Sequence, residues 1–119
     1  MSEPRRALVV DDNATNRMLA KALLSRVGWV VDEADCGEAA LQKFVATDYP
    51  LVLLDISMPG LSGEETCTEI RKIGKPTHLI AYTAHAFPEE RAKFLAIGFD
   101  DILVKPINRL QLEEVISKV

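Results

Sequence analysis

Five short apolar runs punctuate the chain: ALVV at 7–10, a valine pair at 30–31 running on to Ala34, LVLL at 51–54, LIAY at 79–82 and ILV at 102–104. They are rich in Val, Ile and Leu, and the first and third show no polar alternation. Strands read this way when a parallel sheet is covered on both faces. Between the runs, apolar positions recur at helical spacing. Leu19, Leu23 and Val27 fall on one predicted helix face and stop at Gly28. Ala40, Leu41, Phe44 and Val45 do the same behind a capping-box pair, Asp35 with Glu38. Ser62 and Glu65 form a second such pair ahead of Cys67 and Ile70. Pro88 suits the first turn of a fourth helix, which carries Leu95 and ends at Gly98. Leu112, Val115, Ile116 and Val119 give a fifth helix its apolar stripe.

Regular alternation of strand and helix predicts an α/β fold, and right-handed crossovers then place helices on both faces of the sheet. For five parallel strands the expected arrangement is a doubly wound, flavodoxin-like sheet of order 2-1-3-4-5. Its ligand crevice lies at the carboxyl ends of strands one and three. The polar residues that end the runs are therefore informative. The first run ends in Asp11 and Asp12, the third in Asp55, the fourth in Thr83 and the fifth in Lys105. In a parallel sheet these ends share one edge, so five polar groups converge on one crevice.

Singly, each has an ordinary explanation: an Asp after a strand caps a helix or forms a turn, and a Lys there is solvated. Together they conflict, because two carboxylates about 4 Å apart repel by roughly 4 kcal/mol at an effective dielectric near 20. Lys105 offsets one negative charge only. A hard divalent cation with oxygen ligands is the natural further partner, and magnesium, Mg²⁺, fits best because it keeps positions open for phosphate oxygens. Lys105 then neutralises phosphoryl oxygens, Thr83 donates a hydrogen bond, and Asp55, central and alone on its strand end, is the expected nucleophile. The Pro59–Gly60 break after it opens room for a phosphoryl donor.

Composition narrows the setting. The chain has 119 residues, which fits a single domain over 1–119, and 48% of them are hydrophobic, enough for a core without disulfides. Cys36 and Cys67 have no metal-ligand spacing and read as reduced thiols, which suits the cytoplasm. A net charge of −4 without a basic cluster argues against direct nucleic-acid binding. No run is long enough for a signal peptide or for membrane insertion.

The motifs VVDDN (9–13), LLDISMPGLSG (53–63), AYTAHA (81–86) and LVKPI (103–107) resemble, in order and spacing, a response-regulator receiver domain along essentially the whole chain. The resemblance implies that Asp55 accepts a phosphoryl group from a phosphohistidine. It implies that Asp12 and Asp55 contact Mg²⁺ by carboxylate, Ser57 by its main-chain carbonyl, and Asp11 directly or through water. Thr83 and Lys105 then bind phosphoryl oxygens, and the Lys105–Pro106 peptide is cis. Such a domain is a phosphoprotein of two-component signal transduction; it catalyses only its own phosphorylation and dephosphorylation and is not a turnover enzyme. Met1 and the charged lead-in favour a stand-alone regulator over a receiver excised from a longer protein.

DDNATNR, TAHA and KPINRLQL are most similar to receivers of hybrid histidine kinases and phosphorelays, which implies a histidine kinase or histidine phosphotransfer domain as partner. Met18 and Ala22 are candidates for an apolar docking patch, and the sequence leaves the oligomeric state open. One departure is Ile102, which stands where many receivers carry Tyr or Phe, while Tyr82 reads as core. His85 and Ser57 flank the expected path of a hydrolytic water, His85 as a screen. The alternative in another class is a pseudo-receiver, a docking module without phosphorylation, but that would have lost part of the Asp, Thr and Lys set. An aspartyl-phosphate phosphatase would need a second acid two residues after its nucleophile. With Asp12 as the strand-end acid, the next residue is Asn13. A flavodoxin-like electron carrier would need a Ser/Thr/Gly-rich loop where DDNATN stands.

Overall fold

The computed structural model describes residues 5–119, so the charged lead-in before Arg5 lies outside the described residues. Strands and helices alternate: β1 (Arg5–Val10), α1 (Ala14–Arg26), β2 (Trp29–Ala34), α2 (Gly37–Ala46), β3 (Leu51–Asp55), α3 (Gly63–Ile73), β4 (His78–Thr83), α4 (Pro88–Ile97), β5 (Asp101–Val104) and α5 (Arg109–Ile116). All pairings are parallel and the sheet order is β2-β1-β3-β4-β5, as the pattern predicts.

Strand pleat divides the core into two layers. Leu8, Val10, Val52, Leu54, Leu79 and Ala81 point to one face, where Phe44 of α2, Cys67 and Ile70 of α3 and Phe94 of α4 cover them. Ala7, Val9, Leu51, Leu53, Ile80 and Tyr82 point to the other, under Ala20 and Leu24 of α1 and Leu112, Val115 and Ile116 of α5. β1 from Ala7 and β3 throughout are buried on both sides, which is why their sequences show no alternation. Each large side chain buried this way stabilises the fold by roughly 1.5–3 kcal/mol.

Helix phases differ from the sequence reading in places. In α1 the buried residues are Ala20 and Leu24, Leu23 is only half-buried, and Leu19 and Val27 are 40% and 41% exposed. Ala20 and Leu24, one turn apart, face the sheet, and Leu19 and Leu23 turn partly outward. In α2 the N-cap is Cys36 without a side-chain cap, not Asp35. Glu38 accepts instead from the Leu61 amide across the loop after β3, at 3.3 Å, and Val45 is exposed. Phe94, not Leu95, anchors α4, and Val119 lies beyond α5. The Ser62–Glu65 capping box, Pro88 at the start of α4 and the Gly98 C-cap form as expected. Cys36 and Cys67 are free thiols.

Candidate functional site

Each strand end is tied to its neighbour, which fixes the site's edge. The Asp11 amide donates to the Ala34 carbonyl (3.1 Å), the Ile56 amide to Tyr82 (3.1 Å) and the Lys105 amide to Thr83 (2.7 Å). Behind Asp55, α3 begins on Gly63 because nothing larger fits there. A Cβ at that position would lie 2.2 Å from the Asp55 carbonyl oxygen and 2.7 Å from Ile56 Cα. The Gly63 amide donates to the Ile56 carbonyl. The backbone that carries Asp55 is thus clamped between a strand and a helix start.

Asp11 and Asp55 are almost wholly buried, at 0% and 1% exposure, while Asp12 is exposed. One carboxylate oxygen from each of the three lies within 4.8 Å of the others. Asp55 Oδ1 accepts from Lys105 Nζ at 2.9 Å and from the Ser57 amide at 3.3 Å. Asp11 Oδ1 accepts from the Asn13 amide at 2.9 Å, and Lys105 Nζ stands 3.6 Å from Asp11 Oδ2. Asp11 Oδ2 and Asp55 Oδ2 have no hydrogen-bond partner. Two orphaned, buried carboxylate oxygens beside a third acid form an acidic cluster that could bind a metal, and the donor set is the all-oxygen kind that a hard divalent ion takes.

Burial lifts the Asp55 carboxyl from its ordinary 3.8 to about 6, against the opposing Lys105 hydrogen bond and with help from the Asp11 charge. Burial works against charge on Lys105, yet its hydrogen bond and attraction to Asp55, then Asp11, outweigh it and hold the ammonium above its usual value. The pair is a charged lock with surplus negative charge. Thr83 is buried beside it, and its Oγ1 accepts from the His85 amide at 3.4 Å. The Lys105–Pro106 peptide is cis.

All the sequence-predicted site residues, Asp11, Asp12, Asp55, Ser57, Thr83 and Lys105, fall at the carboxyl edge of the sheet. Ser57 is exposed and contributes its amide to Asp55. The exposed His85 stacks on Phe87, centroids 5.7 Å apart. Two contributors escaped the sequence reading. Arg17 donates from Nη1 to the Asp11 carbonyl at 2.7 Å and pairs with Glu33 at 3.4 Å, bracing the acidic loop. Tyr82 is core, as expected, but its ring also underlies Lys105, the ammonium 4.9 Å from the centroid. DDNATNR places Arg17 in the first turn of α1, directly after the acids, the signal that could have found it. Nothing local marks Tyr82.

A parallel sheet of this order, with buried acids, a threonine and a lysine at its carboxyl edge, defines a doubly wound, flavodoxin-like fold with an acidic site at its switch point. The chain belongs to the response regulator receiver domain family, whose model matches residues 7–117. Among curated relatives it is similar to the sensor histidine kinase GacS of Pseudomonas protegens, 38% identical over 98% of this chain but spanning only 13% of that protein. It is 37% identical to the two-component response regulator ORR41 of Oryza sativa subsp. japonica, over 95% of this chain and 92% of that one. Among solved structures it resembles response regulator TrrA of Thermotoga maritima in complex with Mg(2+)-BeF, with 41% identity, TM-score 0.85, and 96% and 97% of the two chains covered. The chain is thus a receiver domain of the two-component kind, homologous to receivers of hybrid kinases.

Proposed function

We propose that this chain is one receiver domain over residues 1–119 that takes a phosphoryl group from a phosphohistidine onto Asp55 and thereby changes the surface it offers to partners. The observation that carries this reading is the pair of orphaned oxygens, Asp11 Oδ2 and Asp55 Oδ2, beside a lysine that already engages Asp55. Asp55 Oδ2 is free to attack phosphorus. As the oxygen–phosphorus bond forms, the bond from phosphorus to the donor imidazole breaks and the imidazole departs. Lys105 has a second carboxylate, Asp11, within reach and can turn toward a phosphoryl oxygen while staying in the site. The Thr83 hydroxyl can donate to another such oxygen.

Asp11, Asp12, Asp55 and the Ser57 carbonyl would hold Mg²⁺, which supplies positive charge for the phosphoryl oxygens. The Mg(2+)-BeF complex of TrrA supports that ion over other hard cations. Its partners are a histidine kinase or a histidine phosphotransfer domain, engaging the mouth of the crevice beside α1. Met18, 69% exposed, and the exposed Ala22 supply apolar surface there. Reduced Cys36 and Cys67 support a cytoplasmic location. The whole and convergent Asp, Thr and Lys set favours this reading over a docking module without phosphorylation.

The test is transfer from a protein donor. A histidine phosphotransfer domain carrying labelled phosphohistidine should lose its label to this chain within minutes when Mg²⁺ is present and retain it when a chelator is added. Retention in both conditions, by every phosphodonor domain of the same cell, would contradict the reading.

A further inference from the structure

Tyr82 precedes Thr83 on β4 and is paired in register with Asp55 on one side and Leu103 on the other. Its side chain is 1% exposed and packs with Leu103, Ile107 and Leu112 in the α1/α5 layer. The phenol oxygen comes near the Ile107 backbone but closes no hydrogen bond of normal geometry. What the site meets is the ring. Lys105 Nζ stands 4.9 Å from its centroid while also reaching Asp55 Oδ1 at 2.9 Å and Asp11 Oδ2 at 3.6 Å. The ring does not stand in for an aromatic at position 102, because Ile102 packs in the opposite layer.

A lysine stem has four carbons and many rotamers, so an ammonium held by carboxylates alone loses its aim whenever one of them is engaged elsewhere. An aromatic face attracts a cation without demanding a hydrogen-bond direction. It keeps the charge nearby while the donors are reassigned. We infer that Tyr82 is a positioning residue for Lys105, its ring the floor across which the ammonium passes from the Asp55 carboxylate to an arriving phosphoryl oxygen. The inference rests on Asp55 being the phosphoacceptor and adds a residue outside the acid, threonine and lysine set.

The test compares Tyr82→Phe with Tyr82→Leu and, should the leucine variant fail to fold, with Tyr82→Met. Three quantities are read for each: labelling rate by acetyl phosphate at saturating Mg²⁺, Mg²⁺ affinity, and the proton NMR shift of the Lys105 ε-methylene. Loss of the ring should slow labelling about fivefold, equivalent to ~1 kcal/mol, and leave Mg²⁺ affinity within about twofold. It should also move the ε-methylene resonance downfield, out of the ring's shielding. Phenylalanine should restore all three, since the hydroxyl has no part in the contact. A ringless variant that labels at the wild-type rate, or a phenylalanine variant as slow as the ringless ones, overturns the inference while leaving Asp55 as acceptor. Wild-type protein that accepts no phosphoryl group would instead bring down the reading of Asp55, and this inference with it.

Discussion

The surroundings of Asp55 disfavour its charged form. Its carboxyl is raised to about 6 chiefly by burial. A carboxyl raised in the folded state contributes stability that is fully present below its ordinary 3.8 and is lost as pH rises through about 6. Asp55→Asn removes that loss, so in metal-free protein its stability advantage over wild type should widen between pH 4 and pH 7, by at most about 3 kcal/mol. Denaturant titrations at several pH values check this, and saturating Mg²⁺ should shrink the gap. An advantage that stays constant with pH would mean the carboxyl titrates normally. Gly63 is the neighbouring constraint. With 2.2 Å between a would-be Cβ and the Asp55 carbonyl oxygen, Gly63→Ala must push α3 off the strand end. We expect a loss of about 3 kcal/mol in urea unfolding, and an alanine variant as stable as wild type would show that the helix start yields freely.

Among the elements, the loop after β4 and the outer face of α1 carry the predictions about rates. The His85 amide reaches Thr83 Oγ1, and its ring rests on Phe87, which is 60% exposed. From a position two residues beyond the threonine, the imidazole is expected to screen water from an acyl phosphate on Asp55. His85→Ala should therefore speed dephosphorylation by a few-fold, about 1 kcal/mol in barrier; slower loss in this variant would mean that the ring assists the water. On α1, Met18→Glu should slow transfer from a phosphohistidine protein about tenfold, on the order of 1.4 kcal/mol, with the acetyl phosphate rate unchanged. Equal slowing of both would point to damaged folding. The sequence made these elements legible to different degrees. β1 and β3 were plain because burial on both faces removes every polar residue from their inner stretches. The Ser62 cap was plain because capping is local chemistry. Helix phase was harder: α1 offers Leu19, Leu23 and Val27 on one face and Ala20 with Leu24 on the next, and the sheet takes the second. Asp35 and Glu38 match a capping pattern, yet Glu38 is drawn to the Leu61 amide, a partner 23 residues away.

At the scale of the whole molecule, the parallel sheet turns residues far apart in sequence into one site. Asp11, Asp55, Thr83 and Lys105 meet because each ends or directly follows a strand and all strands point the same way. That is why this cluster was readable from strand ends, whereas the contact of Tyr82 was not: it depends on which layer the side chain enters and on where Lys105 folds back. The two layers also divide labour. One side of the sheet carries α1, on which Met18 is exposed, and the other carries α4, entered from the His85 loop next to Thr83. The account depends most on Asp55 being the group that receives phosphorus. Intact-mass spectrometry after incubation with acetyl phosphate tests it most directly. Wild-type protein should gain one phosphoryl group with Mg²⁺ and none with a chelator, and Asp55→Asn should gain none in either condition. Labelling of the asparagine variant at the wild-type rate, or of wild type equally well without Mg²⁺, would contradict it.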